Sequence, residues 1–292
     1  MKKCLIVVLA LTALCFLGGC KKFDVHPTGR SSGDLDVSTS EVDDHLTPAP
    51  SVIASTSWTA AFAYLGGADN VDIIAPANLR HPPEYEITAG DVVKITNSDF
   101  FIYAGFERMM ENLGEMTAFQ ETPSHQSEPS SHQGASAHQG AGPKTVKIRC
   151  DNSIATVTES AGKIAEALGT VKVSQERVAR YVAAVEEGRR KVEEMGLLGA
   201  PVLCNKNQIY LAKEIGLDVK GIFGPGPVSP GQIEDAKKSE YVFIIDNVHN
   251  PVGEPLKEVS LESQYIIWRN FPETVGEDTL LQLIEENINK IL

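Results

Sequence analysis

Between Ser51 and Leu292 short apolar runs alternate with helical stretches, and the alternation happens twice. A strand that must wait for a helix before the next strand pairs in parallel, and a parallel sheet needs helices on its faces. In the first half Ser51–Thr56, Val71–Ile74, Asp99–Tyr103 and Thr145–Ile148 read as strands. The stretches 58–65, 90–97, 107–113 and 153–168 read as helices between and after them, with Thr88 as an N-cap and Gly66-Gly67 as a stop. In the second half 201–204, 219–223, 241–245 and 265–268 are strands, and 208–215, 230–238, 255–259 and 278–291 are helices. Between the halves, 174–195 carries Val178, Tyr181, Val182, Val185, Val192 and Met195 at one-face helical spacing. At 1.5 Å per residue such a helix is roughly 33 Å long, the length of a strut between two lobes. The expected fold is therefore α/β: two small parallel-sheet lobes joined by one long helix, with a ligand cleft between the lobes. The expected boundaries are 51–172 for the N-terminal lobe, 173–196 for the linking helix and 197–292 for the C-terminal lobe.

The segment before residue 51 sets the compartment. Met1-Lys2-Lys3 is a short positive start, and Cys4 to Leu17 follows as an apolar run of 14 residues. A stable membrane span needs about 20, so the run fits the core of a secretory signal. It closes in Leu17-Gly18-Gly19-Cys20, small residues before a cysteine, which is the pattern of a bacterial lipoprotein signal. Residues 1–19 are read as a removable signal peptide and Cys20 as the lipidated mature N-terminus. Residues 20–50 are rich in Ser, Asp, Thr and Pro without helical or strand period, and read as a flexible tether. The expected location is extracytoplasmic, lipid-anchored to a bacterial membrane, in the periplasm or on the cell surface.

Charge and composition narrow the function. The net charge is −13, from 26 Lys and Arg against 39 Asp and Glu, and a general nucleic-acid binder needs a basic face instead. No Gly-x-Ser-x-Gly or His-Glu-x-x-His stretch is present, and no acid–base pair for hydrolysis stands out. The chain reads as a binding protein, not an enzyme, and as a monomer. Residues 121–143 break the α/β pattern. They hold His125, His132 and His138, each followed by Gln, among Ser, Gly and Pro. This low-complexity loop is either a labile trap for soft divalent metals or a surface insertion.

The stretch Pro76 through His81-Pro82-Pro83-Glu84-Tyr85-Glu86, then Thr88-Ala89-Gly90-Asp91, resembles a Pro-Gly-x-x-Pro-His-x-Tyr-Glu loop followed by a helix with Pro-x-Asp. Asp99 through Tyr103, Gly105 and Glu107 resemble Ala-Asp-Leu-Val-x-Tyr-x-Gly-x-x-x-Glu. Both patterns belong to the zinc- and manganese-type (cluster A-I) solute-binding lipoproteins of ABC importers. The resemblance covers Ser51 to Leu292 and is strongest at 71–107 and 200–233. It implies a receptor that captures a divalent transition metal between its lobes. Zinc is the first expected cargo, with manganese or another transition metal also compatible. It implies delivery to ABC permease and ATPase subunits.

Of the four ligand positions the family implies, only His81 is a usual ligand here. Arg149-Cys150-Asp151 occupies the second, Asn205 with Cys204 beside it the third, and Arg269 the fourth. A guanidinium cannot ligate a cation and repels it. Three readings stay open. His81, Cys150 and Cys204 bind a soft metal with an acid such as Asp151. Alternatively Cys150 and Cys204 pair as a disulfide. The third is an anionic or chelated ligand held by His81 and Arg269. Asn205, Arg269 and His249 are the further cleft candidates, His249 also reading as a loop residue bonding locally. A surface lipoprotein without transport, adhesive or buffering metal through the 125–138 histidines, is the remaining alternative.

Overall fold

The computed structural model describes residues 49–114 and 142–292. The signal segment, Cys20, the tether up to Pro48 and the His125, His132 and His138 loop lie outside the described residues.

The first sheet is built from β1 (Val52–Ala54), β2 (Val71–Ile73), β3 (Phe100–Tyr103) and β4 (Lys144–Lys147). Its order is β2-β1-β3-β4 and every pair is parallel. The second sheet holds β5 (Pro201–Asn205), β6 (Asp218–Phe223), β7 (Phe243–Asn247) and β8 (Gln264–Trp268), in the order β6-β5-β7-β8, again all parallel. The two sheets carry the two-lobed α/β fold that the alternating pattern predicts.

The helices of the first lobe are α1 (Ser57–Leu65), α2 (Ala89–Thr96), α3 (Met109–Gly114) and α4 (Ile154–Leu168). Then α5 (Val171–Glu194) runs for 24 residues. The second lobe adds α6 (Ile209–Glu214), α7 (Pro230–Lys238), α8 (Glu254–Val259) and α9 (Thr279–Asn289). Capping chemistry explains the sharp starts. Thr56, Thr88 and Ser229 each close a capping box, and Ser153 accepts from the Thr156 amide.

The strands are too short to show clear alternation in sequence, yet they alternate in space. Val52 and Ala54 face the main core, whereas Ile53 joins Phe101, Ile95 and Met109 on the other face. In β5, Val202 and Cys204 face the main core and Leu203 packs with Phe223, Ile244 and Leu256. The main core runs through both lobes, because Tyr181, Val185 and Val192 of α5 are buried in it alongside Leu283, Ile284 and Ile288 of α9. Burying a large aliphatic or aromatic side chain is worth about 1.5–3 kcal/mol. The strut is thus held by packing along its length, and α5 starts one turn ahead of the predicted Ser174. Gly169 ends α4 in the left-handed conformation (φ 75°), so the chain turns at once and Val171 already lies in the next helix.

Candidate functional site

Ligands of parallel α/β sheets bind beyond the carboxyl ends of the strands, and here those ends of the two sheets meet. The loop after β7 reaches the loop after β2: His249 Nδ1 lies 3.1 Å from the Arg80 carbonyl. Trp58, just after β1, sits edge-on to Phe271, just after β8, with centroids 5.1 Å apart. Phe106, following β3, is perpendicular to the same Phe271 at 6.3 Å. The His249 ring completes the group, T-shaped on Phe271 at 5.1 Å. The seam between the lobes is therefore floored by aromatic rings from both sides.

His81 sits on the loop after β2, half-buried, as the residue capping a 3-10 turn over Pro82–Glu84. It stands close enough to His249 to disfavour the charged form of that ring. The His249 ring is held below its usual pKa mainly by burial, against the Arg80 and Phe271 carbonyls, with Arg269 and His81 adding to the lowering. The His249 ring thus bonds across the lobes, while its backbone amide donates to Asn247 Oδ1 within its own loop at 3.1 Å. With Nδ1 facing a carbonyl, the neutral ring donates from Nδ1.

The other predicted residues are less suited to a metal. Among the described residues no group of three or more His, Cys, Asp and Glu stands together to hold an ion, so His81, Cys150 and Cys204 do not converge as a metal site. Cys204 is fully buried in β5, facing the shared core, and its thiol is pushed well up by burial and then by Asp246. Cys150, after β4, is raised by burial and by the Glu107 and Asp151 carboxylates. A raised thiol is a poor ligand and nucleophile. Both thiols are free, which corrects the disulfide alternative. The reason is placement: one lies in a core strand and the other in a loop of the opposite lobe.

Asn205 occupies the expected third ligand position, but its amide is already engaged. Nδ2 donates to Asp246 Oδ1 at 2.9 Å, and Oδ1 accepts from the Asn207 amide at 3.1 Å. Asp246 is fully buried and also accepts from the Asn247 and Gly253 amides and the Tyr265 hydroxyl, each at 2.7 Å. Arg269 is mostly buried and pairs with Glu273 at 2.5 Å, while exposed Arg149 pairs with Asp151 at 3.8 Å. The Glu107 carboxylate is spent on shaping its own loop. Ser55 Oγ donates to Oε1 at 2.5 Å, the Ala104 amide donates to Oε1 at 2.9 Å and the Gly105 amide to Oε2 at 2.6 Å.

Sequence reasoning missed a set of neutral polar residues at the same edge. Ser57, Trp58, Asn152, Gln208, Asn247 and Asn270 are each at most 5% exposed, and each has a buried side-chain polar atom without a hydrogen-bond partner. The signal was readable: Asn or Gln recurs within five residues after five of the strand ends.

No family model matches the chain, and no curated protein does. Solved structures match along most of its length. A nickel-bound solute-binding protein, FpvC of Pseudomonas aeruginosa, superposes with a TM-score of 0.60 at 16% identity, covering 82% of this chain and 94% of that one. A manganese-bound periplasmic metal-binding protein of Candidatus Liberibacter asiaticus, in a mutant form, gives 0.56 at 18% identity over 83% and 98%. A zinc-bound mutant variant of AdcAII of Streptococcus pneumoniae gives 0.56 at 16% over 84% and 98%. The chain has the two-lobe fold of the periplasmic metal-binding solute-binding proteins.

Proposed function

We propose that this chain is an extracytoplasmic receptor of an ABC importer, carrying a divalent transition metal between its lobes, with zinc as the first cargo. The carrying observation is the seam itself, where strand-end loops of both sheets meet and His81 stands beside His249. The fold's likeness to nickel-, manganese- and zinc-bound solute-binding proteins supports the metal. Cys20 would carry the lipid that holds the receptor to the membrane, and the permease and ATPase subunits would take the cargo. No covalent chemistry is needed, since capture and release suffice.

His81 supplies a nitrogen from the first lobe, and His249 braces the second lobe against the His81 loop. Among the described residues no helix is long and apolar enough to cross a membrane. The test is calorimetric titration of metal-stripped protein with zinc, manganese and nickel chlorides, alone and with common small chelators, followed by thermal melting. Binding of one metal in either form, lost in His81→Ala, supports the reading. No heat and no thermal shift with any metal in any form would reject it.

A further inference from the structure

The seam is rich in hydrogen-bonding groups and poor in metal ligands. Every buried polar side-chain atom that lacks a partner, among the described residues, lies at or within five residues beyond a strand's carboxyl end. Seven of the residues concerned come from both lobes and are more than nine-tenths buried: Ser57, Trp58, Asn152, Gln208, Asn247, Trp268 and Asn270. A buried polar group without a partner is destabilising, because it has given up water and gained nothing. Eight such atoms, counting both ends of the Gln208 amide, weigh heavily on the small net stability of a folded chain. Groups of this kind are retained where something fills them.

Their chemistry says what fills them. The Ser57 hydroxyl, the Trp58 and Trp268 indole N–H groups, the Gln208 Nε2 and the Asn247 Nδ2 are donors. The Asn152 Oδ1, Gln208 Oε1 and Asn270 Oδ1 are acceptors. A bare divalent ion uses none of the donors, and it needs three or four close imidazole, thiolate or carboxylate ligands. An ion already wrapped by carboxylate and amine groups uses both kinds. Its carboxylate oxygens accept, and its amine N–H groups or metal-bound waters donate.

We propose that the seam receives its metal as a small carboxylate–amine or carboxylate–hydroxyl chelate, whose periphery is hydrogen-bonded by these residues. The proposal rests on the metal-cargo reading above and names the form of that cargo. It also accounts for guanidinium groups at two of the expected ligand positions, since a chelate can be neutral or anionic where a bare ion is positive.

The test is isothermal titration of the purified, metal-stripped protein in a non-coordinating buffer. The probes are zinc chloride and nickel chloride alone, each metal with two equivalents of L-histidine, each with one equivalent of citrate, and histidine and citrate alone. At least one metal chelate is expected to bind tenfold or more tightly than either its metal or its chelator alone. Gln208→Leu should weaken that binding tenfold or more, while the melting temperature of the unliganded variant stays level or rises, because two orphaned polar atoms are gone. Should that variant fold poorly, Trp58→Phe, which removes one N–H and keeps the ring packing, must show the same loss of affinity. Bare metal binding as tightly as its chelate overturns this inference and leaves the metal receptor standing. A chelator binding equally well without metal overturns the metal cargo too. No binding by any probe overturns both and leaves the seam to water, and unchanged affinity in Gln208→Leu removes these residues from the site.

Discussion

Asp91 shows how one carboxylate serves structure where the family pattern suggested only a motif. It is buried, and it accepts from the Thr88 amide at 2.9 Å, the Thr88 hydroxyl at 2.7 Å and the Tyr85 hydroxyl at 2.9 Å. Burial acts to raise its pKa, but the Thr88 and Tyr85 donors outweigh it, and Lys94 assists, so the group lies below its ordinary 3.8. A carboxylate with a depressed folded pKa stabilises the fold above its unfolded value, and that stability is lost as pH falls through the folded one. Asp91→Asn should therefore cost about 1–2 kcal/mol at neutral pH, and the gap to the parent protein should close below about pH 4. Urea denaturation at pH 7 and pH 3 checks this, and a gap that stays constant would refute it. At this scale the sequence was only partly legible. The loop holding His81 and Asp91 stood out through its resemblance to the family pattern. The fate of Asn205 and Cys204 could not, because strand alternation over five residues does not tell which face a core strand shares with the strut.

Elements were far more legible than residues, for a physical reason. Capping residues and turn glycines act locally, so α7 falls on its predicted Pro230–Lys238 span, and α4 starts right after its Ser153 cap. The start of α5 was misplaced because nothing caps it: Thr170 makes no side-chain cap bond, and tertiary packing sets the first turn. The contact between α5 and α9 offers a sharper test. Gly188 is buried in α5, and a Cβ there would collide with Ile288 Cδ1 of α9. Gly188→Ala gains about 1 kcal/mol of helix propensity, but overpacking of this kind costs about 1–3 kcal/mol. The single variant should be neutral to destabilised by about 2 kcal/mol. Adding Ile288→Val removes the colliding methyl and should recover the loss, and a double-mutant cycle in denaturant measures the coupling. Additive single effects would mean the helices have slack here.

In the whole molecule, the two lobes are also joined near one end of the strut. Arg177 of α5 donates to the Tyr64 and Ala68 carbonyls, both at 2.7 Å, and pairs with Asp69 at 3.0 Å in the first lobe. The same guanidinium reaches Glu277 of the second lobe at 3.2 Å, and Arg180 holds Glu277 and Asp278. Arg177 is only 8% exposed, so its loss strands two carbonyls in a dry place. Arg177→Met should lower stability by about 2–4 kcal/mol. It should also speed amide hydrogen exchange over 64–70, which mass spectrometry would detect. Unchanged exchange there would show that the guanidinium does not hold the lobes.

Such fastening has a mechanical consequence. A receptor pinned beside its strut and again across its mouth has little room to swing wide by itself. Under the function proposed above, unloading would fall to whatever docks on it: the transporter would have to pry the halves apart or distort the His249–Arg80 latch, and the work of letting go would come from the importing machine.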